Sequence, residues 1–178
     1  MDATLVQFAQ LAINGMSVGA IYALVAVGLV LTYKATEVLN FAHGDVLMLS
    51  AFTGWGLITG LGWPFWLALP ATLAIIGAFN YVLERRVMRR IAGQPQFAGV
   101  MLTIGLAFMI RGAVSMGFGP ESRRYDTPFS GKTVLGGLVI ADLNLAIIGA
   151  VLAVTVALFI FLARTRIGVA IQIGRAHV

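Results

Sequence analysis

The chain reads as an all-α, polytopic transmembrane helix bundle of about five spans, with a small extracytoplasmic loop or hairpin. Three observations predict this. Of its 178 residues, 60% are hydrophobic and 11% charged, and the mean hydropathy of +0.95 lies outside the soluble globular range. Five apolar runs approach or exceed the roughly 20 residues that cross a bilayer as a helix. They are Leu5–Tyr33, Val38–Leu61, Pro64–Leu83, Phe97–Phe118 and Leu143–Ala163. The basic residues cluster at the ends of these runs, so the net charge of +5 is not a nucleic-acid signature.

The first run follows Met1-Asp2, which lacks the basic n-region of a cleaved signal peptide, so this span is expected to be retained. Gly15, Gly19 and Ala23 recur every four residues and form a small-residue stripe suited to helix packing. Gly15-Met16-Ser17-Val18-Gly19 matches a hydrolase G-x-S-x-G, but the strand–turn–helix elbow and a His partner are missing, which leaves packing as the reading. Gln7, Gln10 and Asn14 precede the stripe at helical spacing and are read as anchors of the outer end.

Between the first two runs lies Asn40-Phe41-Ala42-His43-Gly44-Asp45, an amide, an imidazole, a glycine and a carboxylate within six residues. Polar groups near lipid are costly unless something satisfies or uses them. From Val46 to Leu61 a helix covers only about 24 Å at 1.5 Å per residue, so the span needs part of this segment. Two readings stay open. As a helix start at the cytoplasmic boundary, Asn40 is the N-cap and Asp45 sits favourably at the positive end of the dipole. As a break inside the membrane, the segment resembles the interrupted helices of transporters. Lys34 and Glu37 suggest water just upstream and favour the helix start. On a helix Asn40 and His43 share a face while Asp45 points elsewhere, and Asn40 and His43 are expected to hydrogen-bond within the bundle.

The third run ends in Arg85, Arg86, Arg89 and Arg90, a short basic loop with room for one helical turn. Arg164 and Arg166 follow the fifth run. Two spans separate the clusters, so both lie on one side, which the positive-inside rule makes the cytoplasm. The N-terminus and the Ser122–Asp142 loop then lie outside. Trp63 and Trp66 suit an interfacial belt at the outer end of span three. Arg111 sits within span four, where a charge is a functional candidate. The structural alternatives are snorkelling to the outer headgroups or pairing with an acid on another helix. No compensating acid is assigned to it here.

The outer loop carries turn chemistry at Gly119-Pro120, Thr127-Pro128 and Ser130-Gly131, and Thr133–Ile140 reads as a hairpin on Gly136-Gly137. Ser130-Gly131-Lys132-Thr133 mimics a P-loop end, but Asp126 stands where its upstream glycine belongs. Without cysteines there are no disulfides or thiolate metal sites. With two histidines, no H-E-x-x-H and no paired carboxylates, no catalytic residue, metal or cofactor is assigned. A transporter or pore subunit is the natural class, and a secondary transporter or channel subunit is the alternative.

Asn14-Gly15-Met16, Gly19–Leu24, Ala26-Val27-Gly28 and Asn40–Asp45 together closely resemble the branched-chain amino acid ABC transporter permeases of the LivH type. Thr103-Ile104-Gly105, Gly117–Pro120 and Arg164-Thr165-Arg166-Ile167-Gly168 extend the resemblance through about Gln172. Related permeases for amides and urea share much of it. The resemblance implies an inner-membrane subunit paired with a second permease subunit, two cytoplasmic ATPase subunits and an extracytoplasmic substrate-binding protein. Arg164, Thr165, Arg166, Ile167 and Gly168 would begin the contact with the ATPases. Asn40, His43, Gly44, Asp45 and Arg111 are the candidate substrate-path or structural polar cluster. Ile173–Val178 resembles a translated sequencing adapter, so residues 1–172 are expected to be part of a permease domain and 173–178 an artefact.

Overall fold

The computed structural model describes residues 3–90, 93–119, 121–124, 127–135 and 138–165. Their elements, in order, are α1 (Ala3–Thr36), α2 (His43–Trp55) continued by a π turn (Gly56–Gly60), α3 (Phe65–Arg86), a 3-10 turn (Met88–Arg90), α4 (Gln96–Phe118), β1 (Lys132–Leu135), β2 (Leu138–Ala141) and α5 (Asp142–Arg164). Four helices are long and apolar enough to cross a membrane, at Val6–Lys34, Phe65–Arg90, Gln96–Phe118 and Asp142–Arg164. The fold is thus the all-α polytopic type expected. The Val38–Leu61 run is met by the shorter α2 and its π turn.

The chain falls into two compact units, residues 1–35 with 127–178, and 36–126. In the first, α1 and α5 are joined by polar contacts. Asn144 Nδ2 donates to Asn14 Oδ1 at 2.7 Å. The Ser17 hydroxyl lies 3.2 Å from Ile13 O and 3.4 Å from Asn144 O, and Ser17 is buried. In an apolar surrounding such bonds fix which faces of two helices meet, because the alternative is an unsatisfied polar group. The hairpin pairs Lys132 with Ala141 and Leu135 with Leu138, and its Gly136-Gly137 turn lies outside the described residues. It leads directly into α5: Asp142 N–H donates to Gly131 O at 3.1 Å. A Cβ at Gly131 would run into the Asp142 carboxylate, which would have to swing aside to admit it.

In the second unit α2 packs against both α3 and α4. Apart from Asp45, the buried side chains described there are small or β-branched: Ala42, Ala68, Thr103, Ile110 and Val114. Large apolar side chains such as Leu73, Phe97 and Phe108 are exposed, as expected where lipid rather than water is the surrounding solvent. Gly99 admits close approach of the preceding segment, since a Cβ there would come 2.8 Å from Val38 Cγ1. The far ends of α2 and α4 meet through rings. Phe118 lies 5.4 Å from Phe52 and 6.2 Å from Trp55, and Trp55 Nε1 donates to Arg124 O at 3.2 Å.

Candidate functional site: a paired charge between two helices

The site is built on the stretch between α1 and α2. Glu37 follows α1 with φ +56, in the left-handed region. Residues 37–41 then climb along the first two turns of α4. Gln96 Nε2 donates to Glu37 O at 3.1 Å, and Val38 sits against Gly99. The Thr103 hydroxyl accepts Phe41 N–H at 3.3 Å and lies 3.3 Å from Leu39 O and 2.9 Å from Val100 O. Seven residues of α4 separate Gln96 from Thr103, about 10 Å at 1.5 Å per residue. Helix α2 therefore begins about two turns up α4 and not beside its first residue.

Helix α2 starts at His43, within Asn40–Asp45, and residues 40–42 form the turn before it, held by Asn40 and Thr103. Asn40 is not the N-cap. Ala42 holds that position, with no side-chain cap bond. Asn40 instead closes the turn before it: Oδ1 accepts Ala42 N–H at 3.0 Å, and its carbonyl accepts His43 N–H at 3.2 Å. The expected bonds of Asn40 and His43 into the bundle are absent. The Asn40 bond is local, and the His43 ring has no partner among the described residues.

Asp45 is buried in the first turn of α2 and takes Arg111 of α4. Arg111 Nε and Nη2 each lie 3.0 Å from Asp45 Oδ1. Arg111 is thus compensated within the chain, by an acid on another helix. The Asp45 side chain is 8% exposed and the Arg111 side chain 63%. Helical side chains lean toward their own N-terminus, and Arg111 follows that lean back to the start of α2, away from the Phe118 end of α4. No buried side-chain nitrogen or oxygen among the described residues lacks a partner.

The other expected residues are placed as follows. A Cβ on Gly44 would meet nothing within 4 Å, so the first turn of α2 borders open space. The same holds at Gly15 and Gly19, where the stripe with Ala23 leaves room for a neighbouring helix. Arg164 ends α5, and the Thr165 hydroxyl caps it by donating to Phe161 O at 2.6 Å. Arg166, Ile167 and Gly168 lie outside the described residues, as do residues 173–178. No group of three or more His, Cys, Asp or Glu able to hold a metal occurs among the described residues. Sequence reasoning missed Thr103 as the clamp and Ser17 with Asn144 as the α1–α5 contact. The signal was a hydroxyl or amide in an otherwise apolar run.

The family described as branched-chain amino acid transport system, permease component, matches residues 11–175. The chain is 28% identical over 174 residues to the high-affinity branched-chain amino acid transport system permease protein BraD of Pseudomonas aeruginosa, covering 90% of this chain and 57% of that one. It is 26% identical over 144 residues to LivH of Escherichia coli K12, covering 76% of this chain and 47% of that one. LivH of Salmonella typhimurium gives the same identity and coverage. The chain spans about half the length of the curated relatives it matches. No solved structure matches it. With nearly its whole length matched, the chain belongs to the branched-chain amino acid transport permease family.

Proposed function

We infer that this chain is the transmembrane permease subunit of an ABC importer that carries branched-chain amino acids, or related amino acids and amides, across the inner membrane. The observation that carries the reading is the Asp45–Arg111 pair, a buried acid on α2 holding a charge within the otherwise apolar α4. An intramembrane charge is costly, so it is kept where it is paired or used. The relatives BraD and LivH are named for high-affinity branched-chain amino acid transport, which supports the substrate class.

ATP hydrolysis belongs to two separate cytoplasmic ATPase subunits in this reading. A second permease subunit completes the path, and an extracytoplasmic binding protein delivers the substrate. The Arg85–Arg90 and Arg164–Arg166 clusters face the cytoplasm, which puts the N-terminus outside. Arg164–Gly168 begins the ATPase contact, and a crosslinker at Ile167 should reach an ATPase subunit. Gly15, Gly19 and Ala23 pack against a further helix. Residues 1–172 are the permease portion and 173–178 stand outside it. Asn40 shapes the turn, and His43 and Gly44 border the path.

The test is uptake by the full-length permease assembled with its partners in proteoliposomes. Leucine uptake that requires both ATP and the binding protein is the expected result. Uptake driven by an ion gradient without the binding protein would overturn the reading in favour of a secondary transporter.

A further inference from the structure

The Asp45–Arg111 pair is asymmetric. Asp45 is buried and uses one oxygen, Oδ1, to take both Nε and Nη2 of Arg111. It therefore occupies the side edge of the guanidinium. The end edge, formed by Nη1 and the second proton of Nη2, has no partner among the described residues. That edge can donate two parallel N–H bonds to a carboxylate, as a fork. The guanidinium is still 63% exposed although its counter-ion is buried.

Neither Glu37, beside Gln96 at the foot of α4, nor Glu84, in the last turn of α3, bonds to Arg111. A Cβ on Gly44, next to Asp45 in sequence, would meet nothing within 4 Å.

Resting on the importer reading, we propose that the free edge of Arg111 receives the α-carboxylate of the transported amino acid, with Asp45 as the positioning residue that holds the guanidinium. The charge balance suits this ligand. The pair is neutral as it stands, and a zwitterionic amino acid leaves the site neutral. A dicarboxylic amino acid would add a negative charge at membrane depth, where an unpaired charge is strongly disfavoured. The site thus selects for a carboxylate on a molecule of no net charge, and it excludes the corresponding alcohol, which offers no anion to the fork.

The experiment is arginine-selective labelling of the native, fully assembled transporter in nanodiscs with phenylglyoxal, read at each arginine by peptide mass spectrometry. Leucine should slow labelling of Arg111 several-fold, and 4-methylpentanoate, which shares the carboxylate but leaves the site net negative, should slow it less. Leucinol and leucinamide should not slow it, and Arg85, Arg89 and Arg123 should label at unchanged rates throughout. Equal Arg111 labelling with and without leucine, in a preparation that performs ATP-driven leucine uptake, would overturn the proposal and leave the importer reading standing. Labelling that is blocked without ligand and appears only when the second permease is removed would also overturn it, by assigning the edge to an acid of that partner. Carboxylate-specific protection in a preparation without ATP-driven uptake would keep the site and overturn the importer reading.

Discussion

At the scale of single residues, Thr103 controls how the chain enters α2. Its fully buried hydroxyl is the partner of Phe41 N–H and of Leu39 C=O. Replacing it with valine keeps the shape and strands both backbone groups, at a cost of about 1–3 kcal/mol. Thermal unfolding in detergent should therefore place Thr103→Val below Thr103→Ser, which keeps the hydroxyl. Equal melting of the two variants would remove the clamp. His43, whose ring has no partner among the described residues, is expected to act on the path and not on the fold. His43→Ala should lower uptake with assembly unchanged, and unchanged uptake would take His43 off the path. Both charged residues of the site were legible in the sequence as polar groups out of place in apolar runs. Their partnership was not, because they stand 66 positions apart and helical periodicity reports only neighbours on one helix.

At the scale of elements, the four long helices were legible almost to their ends. Span four was expected over Phe97–Phe118 and is Gln96–Phe118; span five was expected over Leu143–Ala163 and is Asp142–Arg164. Apolar run length decides such helices, because every backbone group must be satisfied within the segment. Helix α2 was the exception. Its lower neighbour, residues 37–42, is satisfied by Gln96, Thr103 and Asn40, and no local rule sees side chains brought from another helix. The close fit of Val38 on Gly99 gives a test at this scale. Gly99→Ala places a Cβ where 2.8 Å separates it from Val38 Cγ1, and overpacking of this kind costs about 1–3 kcal/mol. Val38→Ala in the same chain should recover part of that loss. Additive destabilisation by the two changes would show that the segment does not lie on α4.

At the scale of the whole molecule, the proposed orientation rests on two basic clusters separated by two spans. The chain has no cysteine, so single cysteines report cleanly. An impermeant thiol reagent on intact cells should label a cysteine at Ser130 and spare one at Arg89, and the reverse pattern would invert the topology. The central claim is that the packing of α2 on α4 sets Asp45 and Arg111 together in the path of an ATP-driven importer, where they act as one unit. A double-mutant cycle on leucine uptake by the full-length reconstituted transporter tests it most directly. Asp45→Asn and Arg111→Gln should each slow uptake by about tenfold or more, equivalent to about 1.4 kcal/mol, and the double variant should be no slower than the worse single one. Full activity in either single variant, or losses that multiply in the double, would contradict the account.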